Sequence, residues 1–275
     1  MNIWESIVMG LVQGLTEFLP VSSSGHLMIS KALLGVDTEG FLDYTVTVHF
    51  ATVLSTIVVF RKQIWNIIKG VFKFRYNDET DYFLKICVSM VPVAVVGFCF
   101  KDKVESLFGD GLVTVGVCLL VTALLLCFSD IFSSRSSKAV TAAHGEARNG
   151  ISYLQAAIVG LGQACAVAPG LSRSGTTIAT GLLCGVKRES IAQFSFLMVL
   201  IPILGEQGLT ILESITSPAV ASEGVGVWAL AAGAVSAFVS GLFACKVMIA
   251  LVKKAKLSWF ALYCVAVAVL IFIFA

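Results

Sequence analysis

Two short polar stretches stand inside otherwise apolar sequence, and their residue types are those of phosphoryl-transfer chemistry. The first runs Gln13-Gly-Leu-Thr-Glu17-Phe-Leu-Pro-Val-Ser22-Ser23-Ser24-Gly-His26; the second runs Pro169-Gly-Leu-Ser172-Arg173-Ser174-Gly175-Thr176. Gln13 and Glu17 are four apart and share a face if their segment is helical, as its apolar pattern indicates. A carboxylate, three hydroxyls and an imidazole thus fall close together. In the second stretch, an arginine beside the start of a helix makes an anion site. Gly170 and Gly175 bracket it and would let backbone approach a ligand closely. A basic clamp, a nucleophile or oriented water, a base and a carboxylate able to hold a divalent cation are the parts that phosphoryl transfer requires. Spacing does not say which residue attacks.

The plainer alternative is a structural ion pair between Glu17 and Arg173, with the serines capping the helices that follow. Against it, each charge within a membrane costs about 2.5–3.5 kcal/mol even on the permissive insertion scale. The hydroxyls and imidazole also exceed what an ion pair needs. His49, inside an apolar run, reads as a packed, hydrogen-bonded side chain, and His144 as a solvated loop residue. Glu206 with Gln207 is a further candidate for lining a site.

The elements that must hold these residues are membrane elements. Of 275 residues, 57% are hydrophobic and 13% charged, and the mean hydropathy is +0.93; soluble domains carry about one-quarter charged residues. The net charge of +2 gives no footprint for nucleic acid. All eight cysteines lie in or beside apolar stretches without a CxxC pair, so they read as small hydrophobes. The N-terminus lacks the basic start of a cleaved signal peptide.

Six runs approach or reach spanning length: 44–60, 82–100, 111–132, 190–213, 225–251 and 257–275. Regions 1–43 and 151–189 are broken by the polar stretches and read as re-entrant helical hairpins. The expected fold is therefore an all-α integral membrane protein with about six spanning helices and two hairpins. Arg and Lys cluster after residue 60, in a loop at 133–150 and after residue 251, which makes those segments cytoplasmic. Segments 101–110 and 214–224 are then outside, and the two hairpins enter from opposite faces. An internal repeat agrees with this. At a constant spacing of 150 residues, Gly10/Gly160, Gln13/Gln163, Ser22/Ser172, Ser24/Ser174, Gly25/Gly175 and Gly35/Gly185 are identical. One domain built of inverted repeats, about 1–132 and 151–275, follows, with its two polar loops facing each other near the midplane.

Both motifs, together with the Phe194-Ser-Phe-Leu segment and the basic cluster before the final span, closely resemble the undecaprenyl-diphosphate phosphatases, also called bacitracin-resistance proteins. The resemblance extends over essentially the whole chain. It implies hydrolysis of undecaprenyl diphosphate to undecaprenyl phosphate and phosphate, recycling a cell-wall lipid carrier in a bacterial cytoplasmic membrane. It further implies that Glu17, Ser23, His26 and Arg173 are catalytic. Gln13, Ser22, Ser24, Ser172, Ser174, Gly175 and Thr176 would bind substrate, and Glu17 would bind Mg²⁺ or Ca²⁺. Gln13 stands where many members carry Glu, so this motif supplies one carboxylate and not two. The expected partners are the bilayer, a polyprenyl diphosphate lipid and a second copy of the chain in a homodimer. A transporter or flippase of an anionic lipid or solute is the competing expectation, because inverted repeats with broken helices also build secondary transporters.

Overall fold

The computed structural model describes residues 1–36, 41–99, 111–144, 147–168, 170–205 and 225–274, and these are helical with short connections and no strand. The helices are α1 (Ile3–Phe18), α2 (Ser23–Leu34), α3 (Phe41–Val59), α4 (Arg61–Val71), α5 (Asp78–Cys99), α6 (Gly111–His144), α7 (Tyr153–Cys165), α8 (Arg173–Leu183), α9 (Arg188–Met198), α10 (Val227–Lys254) and α11 (Ser258–Phe274). A single 3₁₀ turn, Arg148–Gly150, precedes α7, and helical backbone continues past α9 through 200–205.

Among the described residues, four stretches are long and apolar enough to cross a membrane: Asp78–Gly97, Gly111–Ser133, Arg188–Gly205 and Val227–Val252. Asp43–Val59 and Arg61–Val71, bent by 77° at their junction, are long and apolar enough only when taken together, and Ser258–Phe274 is a shorter apolar helix. The chain is a multi-pass membrane protein. Large apolar side chains such as Leu124, Phe243, Leu262 and Ile273 stay exposed on these helices, as lipid contact requires.

Two segments expected as loops are helical. After residue 60 the backbone turns by 77° into α4. Its basic residues interleave with Ile64, Ile67, Ile68 and Val71 at helical spacing, which makes the helix amphipathic. The 133–150 stretch continues α6 through His144, because its Ser, Lys and Ala run contains no helix breaker. His144 therefore ends a helix. Segments 101–110 and 206–224, with Glu206 and Gln207, lie outside the described residues, as does Pro169.

The two polar stretches break their helices. α1 and α2 are joined through 19–22, and α7 and α8 through 166–172. Their local detail repeats at the 150-residue spacing. Asn2 and Glu5 form a capping box on α1, and Ser152 and Gln155 form one on α7. The Ser22 hydroxyl accepts from Gly25 N at 3.2 Å to start α2, and the Ser172 hydroxyl accepts from Gly175 N at 3.1 Å to start α8. Gly35 and Gly185, with φ of 64° and 85°, end the two second helices in the left-handed conformation that glycine adopts without strain.

Packing crosses between the halves of the chain. α1 lies against α10 so closely that a Cβ on Gly10 would meet the Gly233 carbonyl, and α7 lies against α5 so that a Cβ on Gly160 would meet the Ser89 carbonyl. Small residues permit such backbone approach where lipid supplies no hydrophobic drive between helices. Hydroxyls add hydrogen bonds across the α1–α10 seam and from α3 onto both helices: Ser236 donates to the Ile7 carbonyl at 2.8 Å, Ser55 to the Phe238 carbonyl at 2.7 Å and Tyr44 to the Ser6 carbonyl at 2.6 Å. At the basic end, Asp130 of α6 accepts from Arg188 and, at 2.9 and 2.7 Å, from the backbone and hydroxyl of Ser258, fastening α9 and α11.

Candidate active site

The two broken helices bring their polar turns together, and each turn is tied to the other by a serine. The Ser24 hydroxyl accepts from Gly170 N at 3.4 Å, and the Ser174 hydroxyl donates to the Leu19 carbonyl at 3.1 Å. The N-termini of α2 and α8 both border a cavity of about 390 Å³ lined by Glu17, Ser22–Ser24, His49, Gln163 and Ser172–Ser174. Two helix N-termini, with the positive ends of their dipoles, favour an anion there.

Glu17 is the carboxylate on this cavity among the described residues, and its side chain is 7% exposed. One of its oxygens accepts from Arg173; the other accepts from Ser23 Oγ at 2.5 Å and from Gln13 Nε2 at 2.8 Å. Ser23 and Arg173 are the first residues of α2 and α8 and stand 150 positions apart, so the same place in each hairpin supplies a donor to one carboxylate. Arg173 is 30% exposed, which leaves part of its guanidinium open to the cavity. Ser22 holds a φ of 69°, an unfavourable conformation for a non-glycine residue that the surrounding contacts impose.

Glu17, Ser22, Ser23, Ser24, Ser172, Arg173 and Ser174 line the cavity. The ion pair and the serine caps of the plainer reading are both present, and the cavity lies beside them. Gln13 is fully buried beneath Glu17 and does not line it. Thr176 is buried with its hydroxyl unpartnered and away from the cavity wall.

The expectation that Gly170 and Gly175 bring backbone to a ligand is corrected. A Cβ on Gly170 would meet Val115 Cα at 2.8 Å, and one on Gly175 would meet Thr122 Cγ2 at 3.2 Å and its own cap Ser172. These glycines let the hairpin pack on α6.

His26 also lies off the cavity. Its Nδ1 is 2.7 Å from the Ser22 carbonyl, which can only accept, so Nδ1 carries the proton. In the neutral ring Nε2 then accepts from Tyr263 Oη at 2.8 Å, and the two rings stack with centroids 5.6 Å apart. Both nitrogens are committed, one of them to the carbonyl of the strained residue at the cavity edge.

Three polar residues that the motifs did not supply do line the cavity: Thr45, His49 and Gln163. His49 hydrogen-bonds the Thr45 carbonyl at 2.9 Å, as a packed histidine would, and it also places Nε2 3.6 Å from Glu17 Oε2. Gln163 is buried with an unpartnered Oε1. The sequence signal for Gln163 is its identity with Gln13 at the repeat spacing. No comparable signal marks His49.

Among the described residues, no group of three or more His, Cys, Asp or Glu side chains is placed to hold a metal. The donors at the cavity nevertheless suit a hard cation bound mainly through a substrate's phosphates. They are the Glu17 carboxylate and the unsatisfied Gln163 amide oxygen.

A family model described as bacitracin resistance protein BacA matches residues 6–270. The chain belongs to this family. It is 51% identical over 269 residues to the undecaprenyl-diphosphatase of Bacteroides fragilis, covering 98% of this chain and 97% of that one. It is 47% identical over 278 residues to the undecaprenyl-diphosphatase of Christiangramia forsetii, covering 100% and 99%. With that of Halothermothrix orenii it shares 35% over 275 residues, again 100% and 99%. Within this family site, an amide at position 13 donates to Glu17. A carboxylate at 13 would repel Glu17 unless a proton or cation lay between them.

Proposed function

We propose that this chain hydrolyses undecaprenyl diphosphate to undecaprenyl phosphate and inorganic phosphate in the bacterial cytoplasmic membrane, recycling the lipid carrier and thereby conferring bacitracin resistance. The observation that carries the chemistry is the contact of Ser23 Oγ with Glu17 Oε2 at 2.5 Å, with Arg173 on the other carboxylate oxygen at the wall of an anion-attracting cavity.

In this reading the entering diphosphate competes with Glu17 for the Arg173 guanidinium and draws it toward the phosphates, with help from the α2 and α8 N-termini. The carboxylate, released from its cation, becomes a better base toward Ser23. As Ser23 Oγ attacks the terminal phosphorus in line, its proton passes to Glu17 and on to the departing undecaprenyl phosphate. Water then attacks the phosphoserine with Glu17 taking its proton and handing it to the departing Ser23 Oγ, which frees inorganic phosphate and restores the serine and the carboxylate. A Mg²⁺ or Ca²⁺ held by Glu17, Gln163 and the phosphates would neutralise charge on the diphosphate. His26 shapes the loop by fixing the Ser22 carbonyl. Every group in this scheme comes from one copy of the chain, so a homodimer would leave the chemistry unchanged. We further infer an inverted repeat whose hairpins enter from opposite faces, on the strength of the basic clusters and the matched local geometry at the 150-residue spacing.

The test is phosphate release from a C55 or C15 prenyl diphosphate by purified protein in detergent, with and without EDTA, in wild type, Ser23→Ala and Arg173→Ala. Both variants are expected to lose turnover. Full turnover in Ser23→Ala would exclude the serine as nucleophile and leave attack to water activated by Glu17. No release from folded wild type would refute hydrolysis.

A further inference from the structure

His49 reaches the polar cavity from α3, and its own helix fixes which ring nitrogen faces inward. Nδ1 is 2.9 Å from the Thr45 carbonyl, which can only accept, so Nδ1 carries a proton. In the neutral ring Nε2 then presents a lone pair, and it stands 3.6 Å from Glu17 Oε2, itself an acceptor. The two side chains are 20% and 7% exposed, so little solvent separates them, and two opposed acceptors need positive charge or a donor between them. Gln163, on the same cavity, is buried with Oε1 unpartnered, which leaves another lone pair unspent there. Gln13 adds none, because it lies off the cavity and spends its amide N–H on Glu17 at 2.8 Å.

The separation of His49 from Glu17 is close to the one that a shared metal ion imposes. Two ligands about 2.1 Å from one ion stand about 3.0 Å apart at a right angle and about 3.4 Å apart at the tetrahedral angle. The observed 3.6 Å closes onto an ion with a shift of a few tenths of an ångström. The Thr45 carbonyl is the outer contact that a metal-bound imidazole uses, holding the ring in the tautomer that leaves Nε2 free. His26 provides the contrast. A carbonyl holds its Nδ1 in the same way, but Tyr263 takes its Nε2 at 2.8 Å, so that ring keeps no lone pair for an ion.

We propose that His49 Nε2 and Glu17 Oε2 together ligate the divalent cation that the site takes up with a diphosphate. The inference rests on reading the polar cavity as the site of polyprenyl diphosphate hydrolysis, and it deepens that reading. One imidazole ligand makes the ion's surroundings a mixed nitrogen and oxygen set, unlike the all-oxygen shell of an ordinary Ca²⁺ or Mg²⁺ site.

The experiment uses the purified protein in detergent with Mn²⁺ and a C15 prenyl methylenediphosphonate, which presents two phosphoryl groups but cannot be hydrolysed. Pulsed EPR is expected to show a ¹⁴N nucleus coupled to the bound Mn²⁺, replaced by ¹⁵N when the protein is grown on ¹⁵N-labelled histidine. His49→Gln should lose the coupling and bind Mn²⁺ at least about tenfold more weakly. His144→Gln, at the end of α6, should keep both. Bound Mn²⁺ without nitrogen coupling in wild type, a coupling that survives His49→Gln, or no Mn²⁺ taken up at all would each overturn the proposal. The labelled wild-type spectrum needs no variant, so a His49→Gln protein that failed to fold would leave the test intact. Phosphate release from C15 prenyl diphosphate by the same wild-type preparation tests the hydrolytic reading separately. Release without nitrogen coupling would refute the ligand and keep the enzyme, whereas coupling without release would keep His49 as a ligand and refute hydrolysis.

Discussion

Replacing Glu17 by glutamine separates what the carboxylate does for stability from what it does for chemistry. Glu17 accepts from Arg173 on one oxygen and from Ser23 and Gln13, at 2.5 and 2.8 Å, on the other, with 7% of its side chain exposed. Glutamine has the same shape but only one accepting oxygen, and it turns two N–H donors toward a shell composed of donors. Losing two charge-assisted hydrogen bonds at about 1.5–3 kcal/mol each gives about 3–6 kcal/mol, which spans the range of about 3–5 kcal/mol for removing one member of a buried pair. Arg173 is 30% exposed, so water recovers part of this, and a loss of about 2–4 kcal/mol is expected. Arg173→Gln should cost a similar amount. In Glu17→Gln/Arg173→Gln the two amides can bond each other, so the double variant should be at least about 1 kcal/mol more stable than the sum of the single losses predicts. Turnover should fall in all three proteins, by about 10²–10³ where the phosphate-binding donor is lost. Unfolding midpoints in detergent and phosphate release from the same preparations measure both quantities. Additive stability losses, or a Glu17→Gln protein within about tenfold of wild-type turnover, would refute this account of the pair.

Gln13→Glu places a second carboxylate against Glu17, which requires a shared proton or a cation. Its turnover should become more dependent on added Mg²⁺ and more sensitive to EDTA, and an unchanged EDTA response would count against a cation at Glu17. Gly10→Ala and Gly160→Ala should each destabilise by about 1–3 kcal/mol, because the new methyl meets backbone of the neighbouring helix and not a movable side chain. Thermal unfolding in detergent checks both, and a neutral Gly10→Ala would show that α1 and α10 can separate without cost. Tyr263→Phe keeps the stack on His26 but removes one hydrogen bond, about 1 kcal/mol, so kcat should fall up to about fivefold with KM little changed. Unchanged turnover there, beside a complete loss in His26→Ala, would mean that the imidazole leaves Tyr263 and serves the cavity directly.

The membrane class, the two broken helices and the polar cluster around Glu17 and Arg173 were legible from residue types alone, whereas Ser23 was singled out from its neighbouring serines only by the family resemblance. Lipid makes charge and exposed backbone costly, so polar residues that persist within apolar sequence stand out, and Pro20 and the glycines show where helices must break. The repeat spacing likewise marked Gln13 and Gln163 as counterparts before their shared burial and unpartnered oxygens were seen. Facing direction was not legible. His26 turns away because Tyr263, 237 residues later, takes its free nitrogen, while His49 turns toward Glu17 from a helix whose apolar pattern gives no reason for it. Gly170 and Gly175 read as ligand-facing but pack on α6, and the basic segment after residue 60 read as a loop but folds as a helix bent by 77° from α3. Local sequence determines which segments are helical and which residues are too costly to bury without use. Which face of each helix meets another is decided by close packing between elements far apart in the chain, and only the tertiary structure contains that information.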